Sequence, residues 1–328
     1  DNGGPHTTSH GGAIRMEVQV QAFAYQKSDE INDMTFYRFK LINRAPQDIH
    51  DTYFAMWSDP DLGCSLDDYI GCDSTNALGY VYNMDAIDGD PGTTCSPGGG
   101  GGVTNTYGDK VPMLGIDYFR GPTGDNGQLL GMSSFMYYNN ASSWTGPPGM
   151  TDPQSVEEFY NYLTGKWKDG TPLTYGGSGY NPGGGGRVTK YAFSDAPNQI
   201  GGWSMYQTNQ PKGDRRFIQA SGPLLLHPGV KNELIIGVVW VPNIKSYPGP
   251  SLSQLLQADI KAQALFNSCF RPFYGPNAPE TDWIEMDRQL VGTFSNIPDT
   301  VITNNAFEAY NATDLTIPDT LHNRYAFE

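Results

Sequence analysis

The sequence predicts a mainly β protein: an antiparallel β-sandwich with long Gly- and Pro-rich loop insertions and two short covering helices. Three observations carry this. Apolar and polar residues alternate with period two near the N-terminus, the signature of strands buried on one face. A second β pattern, strongly apolar, closes the region at residues 215–241. Between them, many of the 40 glycines and 24 prolines fall in clusters, separated by aromatics, which marks ordered loops on a β scaffold rather than disorder.

The first strand is read in "AIRMEVQVQAFAY", residues 13–25. Ile14, Met16, Val18, Val20 and Ala22 alternate with Arg15, Glu17, Gln19 and Gln21, so one face is expected in the core. "KSDEIND" turns the chain. "MTFYRFKLINR" alternates again, with Tyr37, Phe39 and Leu41 opposite Arg38 and Lys40. "DTYFAMW", from Asp51 to Trp57, gives a third strand, and three in succession predict a meander. "RRFIQASGPLLLHPGVKNELIIGVVWV" reads as a strand, a turn at Pro228-Gly229, and an apolar strand from Glu233 to Val241.

The sandwich domain is thus assigned to residues 1–275, with residues 59–213 as a large loop insertion. "SPGGGGGV" and "YGGSGYNPGGGGRV" lack the Lys-Ser/Thr of a phosphate-cradling loop and read as flexible turns. One helix is expected after Asp152 and Pro153, with Val156, Phe159, Tyr160 and Leu163 as its buried stripe. A second follows a capping box of Ser251 and Gln254, with Leu252, Leu255, Leu256 and Ile260 on one face, running to about Phe266. Both are read as covers over a sheet. Residues 276–328 are expected to form an extended strap towards a further module, because "NRYAFE" begins an alternation that reads as the start of another strand.

Charge narrows the function. Twenty Lys and Arg against 35 Asp and Glu give −15, which argues against nucleic acid or an anionic membrane as partner. No apolar run of about 18 residues is present, so no membrane-inserted helix is expected. The four cysteines (Cys64, Cys72, Cys95 and Cys269) lack CxxC spacing and have no nearby histidine, which favours disulfides in an oxidising compartment over zinc. Bridging Cys64 to Cys72 would constrain only the aspartate-rich loop, whereas pairing Cys72 with Cys269 would close a loop of about 200 residues and restrict the unfolded chain more. The preferred arrangement is therefore Cys72–Cys269 with Cys64–Cys95.

The densest chemical signal is "DPDLGCSLDD", residues 59–68, four aspartates without a cation. Ca²⁺ takes six to eight oxygens, which a loop supplies at alternating positions. Asp59, Asp61 and Gly63 stand at positions 1, 3 and 5, Asp67 at 9, and Asp68 and Asp73 follow. The pattern is not an EF-hand, because Cys64 takes the place of the glycine at position 6 and Ile70 that of the glutamate at 12. The alternative is an Asp-rich turn whose carboxylates cap backbone N–H groups. Asp85, Asp88 and Asp90, in "NMDAIDGD", form a second, weaker group that would hold another ion or share the first.

Catalytic signals are sparse: no GxSxG, HExxH or Cys-His signature is present, and no catalytic residue is assigned. Glu157 and Glu158 would serve glycoside hydrolysis only with a partner such as Asp195 or Asp214 placed across a sugar ring. Trp144, Trp167, Tyr175, Tyr180 and Trp203 sit among Gly- and Asn-rich loops, a composition suited to stacking on sugars; the alternative is that they plug the loops from beneath.

"DPDLGCSLDDYIGCDSTNALGYVYNMDAIDGD", "VPMLGIDYFRGP", "WKDGTPLTYGGSGYNP", "GDRRFIQASGPLLLHPGVKNELIIGVVWV" and "DIKAQALFNSCF" resemble a segment of large secreted proteins of Bacteroidota. Those proteins are exported by the type IX secretion system through a C-terminal sorting domain, which these 328 residues do not include. The resemblance implies an extracellular or outer-membrane-surface location and other modules of the same longer chain as partners, with glycans or cell-surface components as ligands. It also implies O-glycosylation at short Asp-Ser/Thr signals: Thr300 in "DTV", Thr320 in "DTL" and, without the aliphatic third residue, Ser74 in "DST". The expected function is a non-catalytic, calcium-stabilised module with an adhesive or structural role. The alternative is a polysaccharide-active enzyme or its carbohydrate-binding accessory module.

Overall fold

The computed structural model describes residues 6–89, 95 and 106–270, and the backbone of 280–286 and 289–295. The chain divides into two compact units, Asp1–Asp259 and Ile260–Glu328. The first is mainly β and antiparallel, as the alternation predicts.

Its larger sheet has six strands. β1 (Met16–Ala24) pairs with β2 (Met34–Asn43); β9 (Lys231–Val241), β6 (Met113–Arg120), β5 (Leu78–Asn83) and β4 (Asp68–Asp73) follow in that order. A smaller sheet has the order β3-β8-β7, from Ile49–Ser58, Arg215–Leu226 and Ser134–Asn139. The two share one core. Tyr118 of β6 donates its hydroxyl hydrogen to the Gln219 carbonyl of β8 at 2.7 Å and accepts from the Met56 N–H of β3 at 3.1 Å. Phe135 and Phe217 stack at 5.1 Å between centroids, against Gly79 of the larger sheet.

The topology corrects the predicted meander. β1 and β2 are a hairpin, but β3 leaves them and joins β8 in the other sheet. The closing strands likewise separate. β8 pairs with β3 and β7, whereas β9 pairs with β2 and β6, so the chain crosses between sheets at Pro228-Gly229. Residues 59–213 are not one loop insertion, because they contribute four core strands. β4, β5, β6 and β7 are almost wholly buried, and a strand covered on both faces shows no alternation to read.

β1 departs in the other direction. It is an edge strand whose apolar residues Val18 and Val20 stay about half exposed, as does Ile14 just before it, so alternation here does not report burial. In β2 Met34 and Phe36, on the Arg38 face, are buried together with Leu41 and Ile42 near its end, whereas Tyr37 and Phe39 are only half-buried.

Helix α1 (Val156–Leu163) is capped by Ser155, not Asp152; the Ser155 hydroxyl accepts from the Glu158 N–H, and Glu158 reaches back to the Gln154 N–H at 2.6 Å. That frame buries Tyr162 and leaves Val156 and Tyr160 exposed. Leu252, just before α2 (Ser253–Asn267), and Leu255 and Ala258 within it are buried, whereas Ile260 is more than half exposed. Residues 280–295, expected as an extended strap, hold β10 (Glu280–Met286) and β11 (Gln289–Ser295), which pair antiparallel.

Cys64 and Cys95 form a disulfide. Cys72 and Cys269 are free thiols, so the predicted Cys72–Cys269 bridge is not made. Cys72 lies within β4, fully enclosed, its thiol donating to the Ala192 carbonyl at 3.4 Å, while Cys269 is exposed. Burial raises the Cys72 thiol pKa well above the ordinary range, which suppresses the reactive thiolate. Breaking Cys64–Cys95 frees a separation of 31 residues and is expected to cost about 3.7 kcal/mol on the chain-entropy relation. Urea midpoints of the wild type and a Cys64→Ser/Cys95→Ser variant check this; equal midpoints would show that the bridge restricts nothing.

Candidate metal centre and the adjoining pocket

Three loops meet at one end of the sandwich: residues 59–67 between β3 and β4, residues 140–147 after β7, and residues 211–214 before β8. Backbone bonds tie them together. Gly213 N–H donates to the Leu66 carbonyl at 2.9 Å and Asn140 N–H to the Asp214 carbonyl at 3.0 Å, while the Asn140 amide donates to the Asp214 carboxylate at 2.8 Å.

The aspartate cluster divides here into two sets. Asp59 and Asp61 face outward and meet Asp214, the residue before β8; one carboxylate oxygen from each lies within 4.8 Å of the others. A cation enters from a distant part of the chain: Arg216 of β8 bonds Asp59 through Nε and a terminal nitrogen at 3.0 and 3.1 Å, and forms an ion pair with Asp214 at 2.9 Å. Three carboxylates against one guanidinium leave the group at −2, with Asp61 outside the Arg216 contacts. Partial burial, then the charges of Asp59 and Asp214, raise the Asp61 pKa against the pull of Arg216. Three convergent carboxylates with a residual negative charge fit a hard divalent cation, which waters would complete.

Asp67 and Asp68 turn inward instead. Asp67 accepts from the Gly89 N–H at 3.0 Å and Asp68 from the Leu62 N–H at 2.8 Å. Burial raises Asp67 to about 6 and Asp68 well above the carboxylate range, and neighbouring carboxylates add to both. Asp88 also serves the backbone, accepting from the Cys64 N–H at 2.8 Å and from the Tyr107 N–H. Gly63, at φ +82°, lets the chain pass so close to Asp88 that a Cβ would overlap that carboxylate.

Asp73 cannot join either set. It sits at the far end of β4, about 16 Å from Asp68 at extended-strand rise, and caps its own turn through the N–H groups of Thr75 and Asn76. Asp85 likewise accepts from Ile87 N–H at 2.9 Å, and among the described residues neither Asp85 nor Asp88 belongs to a convergent group of three carboxylates. Asp90 lies outside the described residues. Of the six positions predicted for calcium, the structure therefore brings together Asp59 and Asp61 and adds Asp214. The sequence carried one signal for the missing partners, the charged triplet "DRR" opening an otherwise apolar strand.

The predicted sugar-stacking aromatics also separate. Trp167 and Trp203 are fully buried, with their indole N–H groups on the Gly179 and Gly177 carbonyls, so neither has a free face. Tyr175 donates to Asp195 at 2.5 Å beneath the Arg187 guanidinium, and Tyr180 donates to Asp169 at 2.6 Å. The two tryptophans plug the loops from beneath, whereas Tyr175 and Tyr180 stay half-exposed with their hydroxyls held by carboxylates. Trp144 differs in bordering an open space. It is half-exposed and lines a cavity of about 360 Å³ with Asp67, Asn139, Lys212 and Asp214.

Ser74 is exposed in the turn after β4; Thr300 and Thr320 lie outside the described residues. No helix among the described residues is long and apolar enough to cross a membrane. Compared with protein-family models and with curated proteins, the chain matches none.

Proposed function

We propose that this chain is a non-catalytic module of a secreted or cell-surface multidomain protein, with one end of its sandwich stabilised by Ca²⁺ on Asp59, Asp61 and Asp214. The observation that carries the reading is the meeting of three carboxylates from two separate segments, of which a single guanidinium pairs with only two. A divalent ion there would neutralise the residual charge and tie the β3–β4 loop to β8, a structural role. The disulfide beside it supports an oxidising, extracellular setting. The likeness of the long motifs to secreted Bacteroidota proteins supports export by the type IX system, an adhesive or structural role beside other modules, and glycosylation at Ser74, Thr300 and Thr320.

The residues considered for glycoside hydrolysis have other work. Glu158 closes the α1 capping box, Asp195 accepts from Tyr175 and the Trp203 N–H, and Asp214 holds Arg216 and Asn140. Carbohydrate binding is the second reading, and it rests on the cavity beside Trp144.

Thermal melts test the calcium reading. A ligand at a hundred times its dissociation constant stabilises the native state by about 2.7 kcal/mol. Added Ca²⁺ is expected to raise the melting temperature, and chelator to reverse it. Asp61→Asn, which leaves the Arg216 bridges in place, is expected to abolish the response. A wild-type melting temperature indifferent to Ca²⁺ and chelator would overturn the reading.

A further inference from the structure

We propose that the cavity between residues 140–147 and 211–214 binds a neutral sugar ring, the exposed end of a glycan, stacked on Trp144. The inference deepens the carbohydrate reading; Asp214 borders both this cavity and the calcium group, but the aromatic platform belongs to a different loop, so the two are separable by variants.

The platform is built to be rigid. Trp144 N–H bonds the Asn140 carbonyl at 2.9 Å, and its indole N–H bonds the Pro147 carbonyl at 3.2 Å. Gly146 lies so close beneath that a Cβ would overlap the indole edge, so "WTGPP" requires glycine at that position. The loop is pinned further by Asn140, whose side chain accepts from the Ser142 N–H, and by Asp152, which accepts from the Ala141 N–H at 2.7 Å. A fixed, half-exposed indole loses little conformational freedom when a ring settles on it.

The polar lining favours a donor-rich ligand. Asp67 and Asn139 line the cavity, are no more than 2% exposed, and each has one side-chain oxygen to which no protein group donates. Buried acceptors of this kind call for hydroxyl or N–H donors. Asp67 and Asp214 disfavour an anionic ligand, and Lys212 in the same lining disfavours a cationic one. A pyranose meets all three conditions: it is neutral, rich in hydroxyls, and offers a C–H face to an aromatic. A cavity of about 360 Å³ lies at the small end of ligand sites, which suits a terminal ring.

The test is a screen of the whole chain on an array of oligosaccharides ending in neutral hexoses, amino sugars or uronic acids, followed by calorimetry with the free neutral glycan retained best. The expected result is retention of neutral termini, with affinity falling at least tenfold in Trp144→Ala at an unchanged melting temperature. Asp61→Asn is expected to keep the sugar isotherm while losing the calcium response, so the two readings fail separately. The proposal is overturned if the folded protein retains no neutral glycan, prefers uronic acid or amino termini, or binds equally well without Trp144.

Discussion

Replacing Arg215 by methionine is expected to destabilise the protein by about 3–5 kcal/mol, a large fraction of the stability of an ordinary domain. Arg215 opens β8 with its guanidinium buried at 5% exposure. One terminal nitrogen bonds the Asp68 carbonyl at 3.1 Å and the Gly213 carbonyl at 2.9 Å, and the other bonds the Pro211 carbonyl. Burial lowers its pKa, but nearby groups favour the charged form, among them the Asp68 carboxyl and the Tyr69 ring face at 5.8 Å. Methionine would fill much of the volume and satisfy none of the carbonyls, and an unsatisfied buried acceptor costs more than the bond it replaces contributes. Arg215→Lys is expected to recover only part of the loss, because one ammonium cannot span the fork between two segments. Urea midpoints of the three proteins check this. A loss below about 1 kcal/mol for methionine would show that water or backbone relaxation satisfies those carbonyls equally well.

The same residue shows why the site was only partly legible in the sequence. "DPDLGCSLDD" announces concentrated negative charge, and the question it raises is what neutralises it. The cations, Arg215 and Arg216, come from about 150 positions away, and local spacing carries no information about which strand ends will meet. Spacing therefore suggests that Asp59, Asp61, Asp67 and Asp68 act together, whereas the entry into β4 sends the first two outward and the last two into the core. Strands were legible where one face meets solvent, as in β2, and illegible in "DYIGCD" or "SFMYYN", which are buried throughout. The aromatics failed for a related reason. Gly-rich surroundings look like exposed loops, yet the loops of residues 164–208 enclose a core in which Trp167 and Phe193 pack against Tyr137, and Trp203 against Phe193. Trp144, whose neighbouring glycine supports the indole edge, keeps a surface, as do Tyr175 and Tyr180.

Stability is expected to fall as the pH rises from about 5 to about 8, the reverse of what paired carboxylates usually produce. Asp117 of β6 and Asp259 of α2 bring their carboxyl groups together in the core, at 1% and 6% exposure, each with one oxygen to which no protein group donates. Asp117 stands between Leu78 and Gly237 in the sheet, and a further charge acting on both acids, that of Asp73, is also negative. Two buried acids in contact cannot both ionise cheaply, so they share a proton. Burial lifts Asp117 well above the carboxylate range and Asp259 to about 7. A folded-state pKa above the unfolded value means that the native state binds the proton more tightly. The resulting stability is complete below about pH 4, where the unfolded acids are also protonated. It is lost as the pH climbs through the raised values, and Asp67 and Asp68 act in the same direction. Asp117→Asn supplies a permanent donor to Asp259 without a titrating proton. It should flatten the profile and leave the variant more stable than the wild type at pH 8 by more than about 1 kcal/mol, since a tenfold difference in proton affinity between the folded and unfolded chain is worth about 1.4 kcal/mol. Urea midpoints of both proteins at pH 5, 6.5 and 8 decide it: a wild-type midpoint that rises across this range, or a variant profile parallel to it, would mean that the pair does not hold a shared proton.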